Sequence, residues 1–444
     1  IQAAERVDLI VSAAKVLTMD AAGTVIERGA VAVRGGRIAA VGPKAEIERR
    51  FRAKRRIDRP EALLTPGLVN GHTHAPMSLL RGIADDVPLK TWLERYIFPA
   101  EANNVDEAFV RAGTRLAALE MMLGGITTYA DMYYFEGAVA EETKRAGMRA
   151  VLGQTVIGFP APDYKSPQEA LEGTERFIRA WRGDALITPA VAPHAIYTTD
   201  AETLKACRAL AERYGVPVHT HVSETKGENA DSLRAHGMTP TRYLESLGFF
   251  SGRTILAHMV WAGAEDMRRL EGRPAGVVHC PSSNAKLASG APDYRAWLGS
   301  RVPLGLGTDG PAGSNNDFNL FEEMDLASKL AKVTTGDPTT LPAEKAFRMA
   351  TIEGAKALGM EKEIGSLEAG KRADFITIST AAPHAVPAHD PYSMLVYSLK
   401  AGDVRDVVIE GRITVLDRRP LTLDAARVMR EAEQFRRRVA AGLR

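Results

Sequence analysis

Cysteine is nearly missing from this chain: there are two, Cys207 and Cys280, far apart and in no C-x-x-C spacing. That argues against a disulfide framework or a thiolate zinc knuckle, and the bland reading of both is buried apolar filler. An excess of charge of either sign is missing too. Lys+Arg 57 against Asp+Glu 55 gives a net charge of +2, so no global field draws the protein to nucleic acid or a membrane surface. A small, weakly charged substrate is the expected partner. No apolar run approaches the roughly 18 residues of a membrane span. The opening IQAAERVDLI lacks a charged stretch leading into an apolar one, so a cytoplasmic protein is expected, and because residue 1 is Ile the true N-terminus is expected to be missing.

What is present is an ordinary globular composition, 45% hydrophobic and 25% charged, with length enough for one large domain and a smaller one. GAVAVRGGRIAAVG (29–42) sets two alternating runs around Gly35-Gly36, a hairpin signal. Asp8 to Val11, ADFITIS (373–379) and VRDVVIEGRITVLD (404–417, with Gly411-Arg412 in the turn) have the same β character. The two ends are therefore expected to pair into one small β-sandwich domain, residues 1–62 plus 368–420. Between them, apolar runs alternate with helical patterns at 62–70, 125–131, 149–155, 186–193, 216–223, 254–259, 275–281 and 302–309. Segment 105–123, for example, carries Phe109, Ala112, Leu116, Leu119 and Leu123 at helical spacing. Eight such units predict an α/β fold, a (β/α)8 TIM barrel over 63–367, with a C-terminal helix over 421–444.

Within LVNGHTHAPM (68–77), His72 and His74 share one face if the chain is extended. Alone, an H-x-H pair is as well explained by two hydrogen-bonded structural histidines. In a barrel, however, chemistry collects at the C-terminal ends of the strands, and the polar residues there are not a random set. The first run ends in His72 and His74, the fourth in His194, the fifth in His221 with Glu224 beyond, the sixth in His258 and the eighth in Asp309. Convergence on one mouth makes metal chemistry the better reading. Three imidazoles and a carboxylate, His72, His74, His221 and Asp309, suit a catalytic divalent ion, zinc first and ferrous iron as the alternative. Asp309 is also placed to take a proton from the activated water, and Glu224 to act as general acid.

PGLVNGHTH, HTHVSE, LAHM, HCPSSNAKL and LGTDG, in this order, resemble the motifs of the amidohydrolase superfamily, and the likeness spans nearly the whole chain. The resemblance implies that His258 contacts the metal water or stands behind the ligands. It also implies a single metal, because LITPAVAPH has no lysine to bridge two. Within the superfamily, LLRGIADDVPLKTWLERYIFPAE (79–101) is most similar to the methylthioadenosine and S-adenosylhomocysteine deaminases. That likeness implies Trp92 against the nucleoside, Glu101 accepting from the ribose hydroxyls, and His194 touching substrate.

One departure stands out. Where some relatives hold the homocysteine carboxylate with arginines, this chain has Gln154 and no arginine before Arg176; Lys165 is the candidate substitute. Since Arg is the better carboxylate partner, methylthioadenosine or adenosine moves ahead of S-adenosylhomocysteine. The expected activity is hydrolytic deamination of an adenine nucleoside by a homo-oligomeric, one-metal enzyme. The alternatives are a triazine hydrolase or a guanine or cytosine deaminase on the same frame, or a non-catalytic scaffold. No P-C-x-x-C occurs, which sets aside the zinc nucleobase deaminases of the other fold.

Overall fold

The computed structural model describes residues 4–442. Each apolar run of the central region contains a strand of one parallel eight-stranded sheet in sequential order. These strands are β1 Leu68–Thr73, β2 Ile126–Tyr133, β3 Arg149–Val156, β4 Ile187–Pro193, β5 Val218–Val222, β6 Thr254–His258, β7 Ala275–His279 and β8 Leu304–Leu306. Nearly every residue in them is buried, which is why they read as continuous apolar stretches and not as alternating ones. The helices between them are punctuated locally. The Asp200 side chain accepts from Thr203 N to cap Ala201–Tyr214, and Gly215, at φ 66°, ends that helix and turns the chain toward β5.

The barrel closes between β1 and β8. Asp309 N donates to His72 O at 3.0 Å, Asn70 Nδ2 donates to Thr308 Oγ1 at 2.8 Å, and the backbone N–H of Thr308 donates to Asn70 Oδ1 at 3.0 Å. A Cβ on Gly307 would sit 2.9 Å from His72 N, so a bare backbone is required where the two ends of the sheet meet.

A second, nine-stranded mixed sheet joins the chain ends, with Phe375–Ser379 antiparallel to Phe51–Pro66. Leu9 and Val11 of Glu5–Leu17 share a core with Val31, Val33, Phe375 and Val408. The sheet therefore doubles over itself into the two layers of a sandwich. Gly35 and Gly36, at φ 58° and 78°, make the first hairpin turn as expected. The later turn falls one residue earlier than expected, on Glu410-Gly411 (φ 51° and 71°), because Arg412 already pairs with Ile409.

The boundary between the two sheets also differs. Residues 63–66, expected to open the barrel, pair with 375–378 in the terminal sheet. Gly67 alone separates that strand from β1. Two buried strands laid end to end left no turn signal in ALLTPGLVN. The C-terminal helix runs over Ala425–Gly442; residues 421–424, expected in it, lead into it, and residues 1–3 and 443–444 of the expected ranges lie outside the described residues. The helix packs on Glu107–Leu123, with Phe435 edge-on to Phe109 at 5.8 Å and Arg115 paired with Glu431 at 2.9 Å. Both cysteines are free and buried. Among the described residues, no helix is long and apolar enough to cross a membrane.

Candidate active site

His72 and His74 at the end of β1, His221 in β5 and Asp309 just past β8 each offer an atom to one cluster, all within 4.8 Å of one another. The Nε2 atoms of His72 and His74 lie 3.3 and 3.2 Å from Asp309 Oδ1, and His221 Nε2 is 3.3 Å from His74 Nε2. His72 Nε2 is buried and has no hydrogen-bond partner among the described residues.

The opposite ring nitrogens explain why the Nε2 atoms face inward as lone pairs. His74 Nδ1 donates to Met132 O at 2.7 Å, and His221 Nδ1 to His194 O at 2.7 Å. His72 Nδ1 lies 2.9 Å from His219 Nε2 in the barrel interior. Fixing the outer N–H in this way sets the tautomer of a metal-binding imidazole.

Electrostatics point the same way. Burial takes His72 down to about 4 against the pull of Asp309. Burial also opposes a proton on His74, but Asp309 outweighs it and lifts this imidazole to about 9. Despite its own burial, Asp309 is held well below the ordinary carboxylate range by His72 and His74. The cluster thus calls for one cation at this spot, and its three imidazole nitrogens and one carboxylate oxygen fit a divalent ion such as zinc.

Glu224 stands beside the cluster. It is buried, its carboxyl is pushed up by that burial, and its Oε2 lies 3.8 Å from His258 Nε2. His258 Nδ1 donates to Asn284 Oδ1 at 3.0 Å, which turns Nε2 toward Glu224. Ser223, His258, Met259 and Asp309 all have positive φ, between 51° and 73°. Such strained backbone at strand ends turns the chain into the barrel mouth and is typical of functional sites.

Two supports escaped the sequence reading. Glu228 is buried, and its carboxylate accepts from Ser223 N at 3.0 Å and Glu224 N at 2.7 Å, clamping the segment that carries Glu224. Its signal was present as the T-x-x-E pattern Thr225 to Glu228. Asn284 lay inside a motif already singled out, but only the fold shows what it holds.

Above the cluster, a pocket is bounded by Trp92, Phe98, Glu101, Tyr133, His194 and Glu224, among others. Every expected substrate residue is here. Trp92 is oriented by its indole N–H donating to Ala312 O at 2.8 Å. His194 is neutral, taken down to about 3 by burial, and bonded through Nδ1 to Thr198 Oγ1 at 2.9 Å. Glu101 is 4% exposed, and burial raises its carboxyl to about 7. Among the described residues, no Lys or Arg lines the pocket. Lys165 does not fill that gap, since its Nζ donates to Ala161 O at 3.0 Å outside the pocket. Gln154 is turned away, donating to Asp163 Oδ2 at 2.8 Å, and Arg176 lines a separate surface cavity.

Residues 63–414 match the model of the amidohydrolase family, and residues 29–53 match a bacterial imidazolonepropionase-like composite domain. A 5-methylthioadenosine/S-adenosylhomocysteine deaminase of Syntrophobacter fumaroxidans is 44% identical over 434 residues, 98% of this chain and 99% of the relative. An adenosine deaminase structure from Xanthomonas campestris with bound zinc has a TM-score of 0.97 at 40% identity, covering 99% of this chain and all (100%) of that one. Atrazine chlorohydrolase from Arthrobacter aurescens, complexed with zinc, has a TM-score of 0.89 at 26% identity, covering 96% and 99%. With a family match across most of its length and relatives this similar end to end, the chain belongs to the amidohydrolase family.

Proposed function

We propose that this amidohydrolase removes the 6-amino group of an adenine nucleoside by hydrolysis, giving ammonia and the inosine analogue, with 5′-methylthioadenosine or adenosine preferred to S-adenosylhomocysteine. The observation that carries this reading is Glu101, a buried carboxylate in the same pocket as Glu224 and the His/Asp cluster. A ribose supplies two adjacent hydroxyl donors to it beyond the Tyr134 hydroxyl, which donates to Oε2 at 3.4 Å; a free base or a triazine supplies no such pair. A lining without Lys or Arg offers a substrate carboxylate no guanidinium or ammonium partner. A scaffold has no use for Glu224 and four convergent metal donors.

His72, His74, His221 and Asp309 would hold one zinc ion, which when bound supplies Lewis-acid activation of the attacking water. The donor set and the zinc in both structural neighbours support this assignment. Glu224, its carboxyl raised by burial, gives its proton to the purine ring nitrogen as the ring carbon is attacked. Asp309 accepts one proton of the attacking water and passes it to the amine, which leaves as ammonia when the C–N bond breaks; the other proton of the water returns to Glu224 as the carbonyl forms. Trp92 and Phe98 provide flat apolar walls for the base. Two free, buried cysteines support a cytoplasmic setting.

The test is ammonia release from adenosine, 2′-deoxyadenosine, 5′-methylthioadenosine, S-adenosylhomocysteine and guanine, and chloride release from a chlorotriazine. Glu101→Ala should cost adenosine two charge-assisted hydrogen bonds, about 1.5 to 3 kcal/mol each in kcat/KM, and 2′-deoxyadenosine only one. Equal losses for both would overturn the ribose role. Faster turnover of S-adenosylhomocysteine than of methylthioadenosine would overturn the preference drawn from a lining without Lys or Arg.

A further inference from the structure

The segment that walls the substrate pocket, from the turn Ala75–Leu80 after His74 to the helix Phe98–Asn104, contains Leu89, Trp92, Leu93, Ile97, Phe98 and Glu101 of the lining. Part of it, Trp92–Ile97, is a π-helical stretch, a winding common at functional sites. Both of its ends rest on the C-terminal helix, which packs against Ala75–Leu80 and against Phe98–Asn104.

The contact at the second end is specific. Arg438 Nη2 donates to Asn104 O, the last carbonyl of the helix that bears Glu101, at 2.6 Å. The same atom lies 2.9 Å from Asp106 Oδ2, while Asp106 Oδ1 accepts from Phe109 N at 2.8 Å to start the next helix. A cation on the exposed carbonyl of a helix C-terminus satisfies an orphan acceptor and complements the helix dipole. Glu101 is one turn from that carbonyl, and its own carbonyl accepts from Val105 N at 2.9 Å. A shift of the helix end is therefore passed to the Glu101 carboxylate almost rigidly. Phe435 against Phe109 and buried Val439 hold Arg438 in register from the other side.

We infer that Arg438, on a helix outside the barrel and away from the pocket, is a positioning residue for Glu101, and that through this contact the C-terminal helix sets the affinity for the ribose of the substrate. The inference rests on the reading of Glu101 as ribose acceptor.

The experiment is a double-mutant cycle of Arg438→Ala and Glu101→Ala on the metal-loaded enzyme, with KM and kcat for adenosine measured separately. Arg438→Ala should raise KM about 3- to 10-fold, the order of one hydrogen bond, while kcat moves by less. Arg438→Lys should restore most of it. In the Glu101→Ala background the effect of Arg438→Ala should vanish. If Arg438→Ala does not fold, Arg438→Gln, which keeps the apolar stem, takes its place in the cycle. An unchanged KM, or an equal loss in both backgrounds, would overturn the inference. If Glu101→Ala is costly while Arg438→Ala is silent, only this inference falls; if Glu101→Ala is itself silent, the ribose reading falls and takes this inference with it.

Discussion

Replacing Glu228 tests whether Glu224, the proposed proton donor, is held in place by its neighbour's backbone clamp. Its two oxygens accept the amide protons of Ser223 and Glu224 at 3.0 and 2.7 Å inside a buried corner. In Glu228→Ala both N–H groups lose their acceptor, at a cost of roughly 1 to 3 kcal/mol each, or about 2 to 6 in stability if no water enters. The larger effect should be on rate. Among the described residues, the Glu224 side chain has no anchor beyond His258 at 3.8 Å, so freeing its backbone lets the carboxyl drift. A displacement of about 1 Å costs on the order of 10²-fold in a proton-transfer site.

We therefore expect kcat to fall by roughly 10- to 100-fold at pH 8, with metal content unchanged and KM little affected. Glu228→Gln keeps one acceptor, sets an amide N–H against the second donor, and should fall in between. A pH signature separates this from simple misfolding. Burial raises the Glu228 carboxyl to about 7 from an ordinary value of 4.5. A raised folded-state value means stability that is present at low pH and lost as pH climbs through about 7. The stability gap between wild type and Glu228→Gln should change across that window, read by urea unfolding at a series of pH values. Wild-type kcat in Glu228→Ala, accompanied only by a lower Tm, would refute the reasoning and leave Glu228 as a helix cap.

Glu224→Gln should retain the metal and bind substrate yet lose roughly 10²-fold or more in kcat, because the amide cannot protonate the ring nitrogen; near-normal turnover removes Glu224 from the mechanism. Elemental analysis should find one divalent ion per active chain, and chelation should abolish turnover and lower Tm, since an ion bound only by the folded state stabilises it. Two ions per active chain would contradict the four-donor site.

How much of this was legible in the sequence depended on whether a residue's partner was local. His221 could be placed because it lies at the end of the fifth apolar run, with Glu224 just beyond. His72, His74 and Asp309 were equally readable, because a barrel gathers all its strand ends at one rim. The terminal sheet was foreseen as a pairing of chain ends, but not its exact limit, because pairing of 63–66 with 375–378 is decided by a strand more than 300 residues away. The same logic separates the functional residues. Glu228 had a local signal, the T-x-x-E spacing, but the carboxylate reaches past the N-cap to Ser223 N and Glu224 N, which no spacing rule foretells. Asn284 acts on His258 across 26 residues and Arg438 on Asn104 across 334. Residues that touch the chemistry are confined to strand ends by the geometry of the barrel, so their positions announce them. Residues that hold those in place can sit on any element that packs nearby, and an arginine among the many of a surface helix carries no mark until the fold shows which carbonyl it meets.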